Sequence, residues 1–294
     1  MPLLGAHISS AGGLHRAVER ASALGCEAMQ IFTHNPLQWQ GKTPSPAGID
    51  AFRRTLLESG VKKVTAHASY LINLAGDGYV RNHSIDAVIR EIELCYQLGI
   101  DSLVLHPGSS RGGSRAGALS NLAGALEKII DRTIDKNVVI LLETMAGQGD
   151  ILGSSIDEFE TVFEAMSWNN RLGVCADVCH VFGAGVDVRS EEGYLRFVSS
   201  LDRHFGLGRV GCWHLSDNKG ALGSNIDRHE HIGQGAIGII PFSMLVSDER
   251  FADTPAILET PKEGVGDAGN LALLRKLRGA ERQAADTRRS GGRG

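Results

Sequence analysis

The chain has 294 residues, of which 42% are hydrophobic, and its formal net charge is −4. This length suits one barrel or two average domains, and the apolar content is enough for a sizeable core. No uninterrupted apolar run reaches about 18 residues and no N-terminal signal segment is recognisable, so we expect neither a membrane span nor secretion. The five scattered cysteines indicate reduced thiols in a cytoplasmic protein rather than a disulfide framework.

The negative net charge does not exclude a nucleic-acid substrate. Phosphate binding usually needs a basic surface, and this chain is slightly acidic. Three bound divalent cations would reverse the sign of the net charge and concentrate the positive charge where a phosphate would bind. The charge therefore excludes few classes of function.

Eight short apolar runs alternate with segments of helical periodicity. The runs are mostly aliphatic and too short for typical helices, so we predict that they are strands. They cover residues 3–8, 28–32, 64–67, 103–106, 138–143, 172–177, 210–214 and 256–259. Eight such alternations predict an α/β fold, a closed (β/α)₈ TIM barrel with its active site at the C-terminal ends of the strands. An open doubly wound sheet is the alternative.

The segments between the strands predict helices of ordinary length. In residues 84–95 the apolar side chains of Ile85, Val88, Ile89 and Ile92 fall on one face, and Ser84 is the predicted N-cap. We predict a single domain over residues 1–277. Residues 278–294 contain Arg, Gly, Ser and Ala without apolar periodicity, which predicts a disordered basic tail.

The strongest functional signal is the residue type at the ends of the strands. Since the C-terminal ends of barrel strands converge on one face, side chains at these ends would point into one pocket. Several carboxylates there would repel one another unless cations neutralised them, so a metal site is favoured over a set of hydrogen-bonded core residues. The six metal-capable residues at strand ends are His67, His106, Glu143, Asp177, His214 and Glu259.

Two local motifs add three further candidate ligands. His180 follows Asp177 by three residues, at the point where the chain turns into a loop, and Asp227 and His229 are two residues apart. On an extended loop, side chains two apart face the same way. The mixture of histidine and carboxylate favours zinc, manganese or iron over calcium or magnesium. Nine candidates are too many for one ion, so we predict three divalent ions, Zn²⁺ with Mn²⁺ as an option at one site.

Seven segments resemble the signature segments of the endonuclease IV family of apurinic/apyrimidinic endonucleases. The similarity extends from about residue 3 to about residue 275. The segments are GAHIS at 5–9, HASYLINL at 67–74, AGQG at 146–149, GVCADVCH at 173–180, HLSDNKG at 214–220, DRHEHIGQG at 227–235 and ETP at 259–261.

The resemblance implies a substrate and a division of the ligands. The substrate would be duplex DNA with a missing base, cut on the 5′ side of the lesion to leave a 3′-hydroxyl. Flanking cations can stabilise both the attacking and the leaving oxygen of an in-line displacement, and Glu143 would be the catalytic, bridging carboxylate. The three implied ligand sets are His67, His106 and Glu143; then Glu143, Asp177, His214 and Glu259; and finally His180, Asp227 and His229.

The resemblance also implies residues that contact the DNA. Tyr70 and Leu71 match positions that enter the DNA at the abasic site, where an aromatic ring and an apolar wedge can replace lost stacking. Leu37 and Gln38 match the first recognition loop, although Leu37 occupies a position where the family leads us to expect arginine. Ala68 and Val178 replace expected polar residues, which predicts weaker support for the ligands.

Two other classes of function compete with the nuclease. A sugar isomerase or epimerase on the same barrel would need one or two metals, and the third ligand set and the Tyr70–Leu71 wedge argue against it. A non-catalytic lesion-binding protein would have lost ligands, whereas all nine are present. We therefore expect a monomeric, cytoplasmic DNA-repair hydrolase without membrane contact.

Overall fold

Eight parallel strands form a closed barrel at the centre of the protein. The computed structural model describes the backbone of residues 1–291 and the side chains of residues 1–280. In chain order the barrel strands are β1 (Leu3–His7), β2 (Ala28–Phe32), β3 (Lys63–His67), β4 (Ser102–Leu105), β5 (Val139–Glu143), β6 (Leu172–Asp177), β7 (Val210–Leu215) and β10 (Pro255–Leu258). Each strand pairs with the next of these eight, and β10 pairs with β1. The predicted TIM barrel is confirmed.

Helices cover the outside of the barrel and occupy the connections between strands. Their bounds are α1 (Leu14–Ala23), α2 (Pro46–Ser59), α3 (Gly78–Leu98), α4 (Arg115–Arg132), α5 (Ile156–Ala165), α6 (Val178–Gly183), α7 (Glu191–Phe205), α8 (Ile240–Ser247) and α9 (Gly266–Gly291). A small antiparallel ribbon of β8 (Asp217–Asn218) and β9 (His229–Glu230) lies in the connection after β7.

The predicted start of α3 is wrong. This helix begins at Gly78 behind Asp77, so Ser84 lies inside it, fully buried, and its hydroxyl donates a hydrogen bond to the carbonyl of Val80 at 2.8 Å. The reason is that apolar periodicity reports only the part of a helix that packs on the barrel. The first turns of α3 are more polar, and the pattern cannot detect them.

The core has two layers that position the functional face. Between the sheet and the helices lies the larger layer, which includes Phe52, Phe159 and Phe242. Inside the barrel lies a small cluster that includes Val104, Leu141 and other side chains from β1, β2, β6, β7 and β10. Because side chains alternate along a strand, residues two positions beyond this inner cluster point into the C-terminal mouth of the barrel.

The domain boundary predicted at residue 277 stays a prediction, and the described side-chain contacts reach one residue past it. Arg278 donates hydrogen bonds to the carboxylate of Glu27 at 2.8 Å and to the carbonyl of Pro2 at 3.4 Å. The backbone of α9 is helical as far as Gly291, and residues 292–294 lie outside the described residues.

The five cysteines are all buried and none forms a disulfide. Among the residues that the structure describes, no helix combines the length and the apolar character needed to cross a membrane.

Candidate metal centre

The predicted ligands converge at the C-terminal mouth of the barrel because of strand alternation. His67 is the last residue of β3, and Glu143 and Asp177 are the last residues of β5 and β6. Five ligands follow an inner-cluster residue by two positions, so they share its inward direction. These pairs are Val104 and His106, Leu141 and Glu143, Cys175 and Asp177, Cys212 and His214, and Ile257 and Glu259.

The first group consists of His67, His106 and Glu143. One oxygen of Glu143, Oε2, lies 3.1 Å from Nε2 of His67 and 3.3 Å from Nε2 of His106. One candidate ligand atom from each residue lies within 4.8 Å of the others. His67 and Glu143 are buried and His106 is half-buried, so the group is open towards the mouth on the His106 side.

The second group consists of Glu143, Asp177, His214 and Glu259. The other oxygen of Glu143, Oε1, lies 3.0 Å from Nδ1 of His214. That same nitrogen lies 3.7 Å from Asp177 Oδ2 and 3.4 Å from Glu259 Oε2. The two oxygens of Glu143 therefore face different groups, which is the arrangement that a bridging carboxylate requires.

The third group consists of His180, Asp227 and His229. Asp227 Oδ1 lies 3.3 Å from Nε2 of His180 and 3.2 Å from Nε2 of His229. His180 belongs to the short helix α6 rather than to the predicted loop, because Asp177 caps this helix and accepts a hydrogen bond from the His180 N–H at 2.8 Å. The three predicted ligand sets are thus three spatial groups.

Hydrogen bonds to the remote ring nitrogens orient the imidazoles. Nδ1 of His67 contacts the carbonyl of Ala68 at 2.8 Å, and Nε2 of His214 contacts the Gln30 side-chain oxygen at 2.8 Å. Each contact places an N–H on the remote nitrogen and leaves the facing nitrogen free to act as a ligand. Because the contact at Ala68 uses its main chain, replacing a polar side chain there does not remove this support. The other two contacts are His180 Nδ1 with Thr144 O at 2.8 Å and His229 Nδ1 with Glu259 O at 2.6 Å.

Gln30 is a site residue that the sequence analysis missed. It is fully buried, and its amide nitrogen lies 2.7 Å from Glu259 Oε1 and 2.9 Å from Nδ1 of His7. His7 itself lies 3.1 Å from Glu259 Oε1, so it supports a ligand of the second group. The available signal was a polar residue in the middle of the apolar run that forms β2.

The ionisation of these groups reflects the close pairing of buried carboxylates with imidazoles. Burial opposes ionisation of Glu143, but the nearby His214 and His106 lower its pKa well below the usual value. Burial would lower the pKa of His180, yet Asp177, Asp227 and Glu143 raise it well above the usual value. The same carboxylates that hold protons on these imidazoles attract metal cations, which compete with protons for the same nitrogens.

Three buried polar atoms without hydrogen-bond partners indicate whether divalent cations fit the candidate site. Within the described side chains, Asp177 Oδ2, His180 Nε2 and His229 Nε2 are buried without a hydrogen-bond partner. A buried polar atom left unpaired costs about 1–3 kcal/mol. Cations in the second and third groups would satisfy all three atoms, and a set of imidazole nitrogens and carboxylate oxygens fits Zn²⁺, Mn²⁺ or Fe²⁺. The residues present therefore fit divalent metals.

Tyr70 lies directly beside the first group. Its side chain is 54% exposed, and its ring centroid lies 5.8 Å from that of His106 and 5.9 Å from that of His67. Leu71 follows it and is half-buried. An exposed aromatic ring is thus held at the mouth of the barrel, next to the candidate ligands.

Leu37 and Gln38 are exposed on the neighbouring loop, between β2 and α2. The carbonyl of Pro36 in this loop accepts hydrogen bonds from the hydroxyl of Ser69 at 2.7 Å and from the N–H of Tyr70 at 3.2 Å. All four predicted DNA-contacting residues therefore lie on two connected loops of the functional face.

Comparison with known proteins finds relatives over nearly the whole chain. Residues 18–286 match the family described as a xylose isomerase-like TIM barrel. A probable endonuclease 4 of Chloroflexus aurantiacus is 46% identical over 285 residues, which are 96% of this chain and 100% of the relative. A probable endonuclease 4 of Trichlorobacter lovleyi is 44% identical over 93% of this chain and 99% of its own. The chain belongs to the endonuclease IV family.

Solved structures agree with membership of the endonuclease IV family. Endonuclease IV from Thermus thermophilus superposes with a TM-score of 0.84 at 36% identity, covering 94% of this chain and 98% of that chain. A D-tagatose 3-epimerase-like protein superposes with a TM-score of 0.76 at 20% identity, and this likeness shows the fold alone. The family resemblance of the seven segments is confirmed.

Asp227 supplies the only carboxylate of the third group in this endonuclease IV family member, so its removal tests that group. We expect zinc-loaded Asp227→Ala to hold about one ion fewer per chain than the wild type, measured by mass spectrometry of the metal after gel filtration. Asp187→Ala is the matched control, since Asp187 is paired with Arg189 outside the three groups. Equal metal content in Asp227→Ala and the wild type would contradict a third site.

Proposed function

We propose that this chain is a DNA-repair endonuclease that hydrolyses the phosphodiester on the 5′ side of an abasic site in duplex DNA and leaves a 3′-hydroxyl. The observation that carries the proposal is the position of Glu143, whose two oxygens face two separate groups of candidate ligands. Relatives that are probable endonuclease 4 proteins, matched over nearly their full length, support the same activity.

The proposal includes three divalent ions, Zn²⁺ with Mn²⁺ as an option at one site. Bound ions would supply Lewis acidity and positive charge for phosphodiester hydrolysis. Glu143 would hold the first and second ions together, and Asp227 would hold the third between His180 and His229. Four carboxylates in the three groups would balance the charge of the ions while leaving part of it for the phosphate.

Tyr70 and Leu71 would recognise the lesion. Burial raises the pKa of the Tyr70 phenol to about 12, so the hydroxyl stays protonated and uncharged near DNA. The Tyr70 ring packs edge-on against Phe32, with centroids 5.2 Å apart, and this contact holds it in place. A fixed aromatic ring can occupy the space of a missing base, and Leu37 and Gln38 would contact the DNA beside it.

A sugar isomerase or epimerase is the second candidate, and it is less well supported. Its solved relatives share the barrel at about 20% identity or below, as in the D-tagatose 3-epimerase-like protein at 20%. The third ligand group and the exposed Tyr70 favour a polymeric substrate over a small sugar. A cytoplasmic location and a monomeric state stay predictions.

Incision of a defined duplex tests the proposed reaction. With a stable abasic-site analogue in one strand, we expect a single cut immediately 5′ to the analogue, with an end that a DNA polymerase can extend. Chelation should abolish the cut and added Zn²⁺ or Mn²⁺ should restore it. Absence of cutting by fully metal-loaded protein would contradict the proposal and favour the isomerase.

The matched variant in the same assay is Glu143→Gln, which preserves shape but cannot bridge two cations. We expect kcat to fall by roughly 10³-fold or more, the scale on which loss of a central electrostatic group acts. Glu160→Gln, which alters a carboxylate paired with His204, should leave kcat unchanged. Circular dichroism verifies the fold, and retained turnover in Glu143→Gln would refute the bridging role.

Replacing Tyr70 separates recognition from metal binding. Tyr70→Ala should raise the Kd for abasic duplex about tenfold or more, since stacking of one aromatic ring contributes on the order of 1–3 kcal/mol. Its zinc content should match the wild type. Tyr96→Ala, which removes another exposed tyrosine near the far end of α3, should change neither quantity. Parallel losses of zinc and DNA affinity in Tyr70→Ala would count against a wedge.

A further inference from the structure

The loop that carries Leu37 and Gln38 lies over a partly open cavity. We define the recognition loop as residues 34–43; it spans a cavity of about 180 Å³ between itself and α3. The lining includes His34, Trp39 and Lys42 from the loop and Glu91 from α3. Since a cavity provides no packing atoms, the position of the loop depends on the few side chains that cross to α3.

His34 is one of these side chains, and both of its ring nitrogens face acceptors. Nδ1 lies 3.1 Å from Glu91 Oε1, an ion-pair contact, and 3.3 Å from the Thr33 hydroxyl oxygen, and Nε2 lies 3.1 Å from the carbonyl oxygen of Gln38. A neutral imidazole carries only one N–H, so it can donate to only one of these acceptors. The ion pair with Glu91 and the hydrogen bond to the Gln38 carbonyl form together only when His34 is an imidazolium.

The surroundings of His34 favour that charge. Glu91 is buried with 4% of its surface exposed, and its other oxygen accepts a hydrogen bond from the Thr33 hydroxyl. The close, negatively charged Glu91 carboxylate and the Gln38 carbonyl raise the pKa of His34 against the opposing effects of burial and of Arg90. Lys42 and Glu93 are the other charged residues that line the cavity.

The recognition loop returns close to His34, and it also contacts the segment that carries Tyr70. A Cβ atom at Gly41 would lie 2.2 Å from Cβ of His34, so only glycine lets the returning chain approach so closely. At the other side, the Pro36 carbonyl accepts hydrogen bonds from Ser69 and Tyr70. A change in the position of His34 would therefore move Gln38 directly, and it would move Tyr70 through the hydrogen bond to Pro36.

We propose that His34 is a positioning residue, whose imidazolium ties the recognition loop to Glu91 of α3 and thereby sets the affinity for abasic DNA. This inference rests on the proposed function. The tie is complete below about pH 6.5, where His34 is charged in the folded and the unfolded chain alike. It is lost as the pH rises through the raised pKa of the folded state, so affinity falls towards alkaline pH.

The first test needs no DNA. Hydrogen exchange of residues 35–43, corrected for its intrinsic pH dependence, should show a protected loop in the wild type that opens as the pH rises. In His34→Ala, the protection of these loop amides from exchange should fall about tenfold, and the pH dependence of that protection should disappear. Glu91→Gln, which leaves His34 in place, should move the midpoint to lower pH. His204→Ala is the control, because His204 forms a similar 3.0 Å pair with Glu160 in another part of the barrel.

The second test measures incision of the abasic duplex by metal-loaded protein. His34→Ala should raise KM about tenfold with kcat unchanged, and the pH dependence of KM should disappear. Unchanged KM and loop protection in His34→Ala would overturn the inference, even if the wild type cuts. If the wild type does not cut, the proposed function fails, and the exchange experiment still decides the role of His34. If His34→Ala lowers the Tm substantially, the Glu91→Gln variant provides the test instead. A midpoint of the pH-dependent loop protection that does not shift in Glu91→Gln would overturn the proposal.

Discussion

The shared carboxylate of Glu143 is the interaction on which the functional face depends. Its two oxygens face different imidazoles, those of His67 and His106 through one oxygen and those of His214 and His180 through the other. Isolated, a carboxylate this deeply buried would be costly to ionise. Protonated imidazoles, or cations that the imidazoles bind, offset that cost. The geometry of each ligand group is therefore linked to the geometry of the next.

The sequence predicted the parts of this arrangement that follow from the two-residue alternation of side chains along a strand. Alternation along a strand puts Leu141 in the barrel core and Glu143 at its mouth, and the closure of eight strands makes distant ligands neighbours. These rules use residue type and spacing alone. For that reason the eight strands and the candidate ligands at their ends could be predicted without knowing the packing of any particular pair of side chains, whereas the division of the ligands into three sets came from the family resemblance.

What the sequence could not predict depends on contacts between distant residues. Gln30 contacts His214 and Glu259 because β2 lies near β7 and β10 inside a closed barrel, and no local pattern reports that proximity. His180 lies in a helix because Asp177 caps it, a local interaction that a six-residue element hides from periodicity. The role of His34 depends on Glu91, 57 positions away in the chain, and on a cavity. Tertiary packing and local capping determine the contacts of Gln30, His180 and His34, and the spacing of apolar residues does not report them.

The order of the ligands along the chain has a consequence for biosynthesis. The second group draws on β5, β6, β7 and the residue after β10, and β10 is also the strand that closes the barrel against β1. A chain that has not yet emerged as far as Glu259 can therefore complete neither the barrel nor this group. Because ligands from such distant strands meet only in the native fold, binding of ions there would stabilise the closed barrel over every partly folded form. If the chain binds the proposed ions, full occupancy of the second group would then be a property of the finished molecule alone.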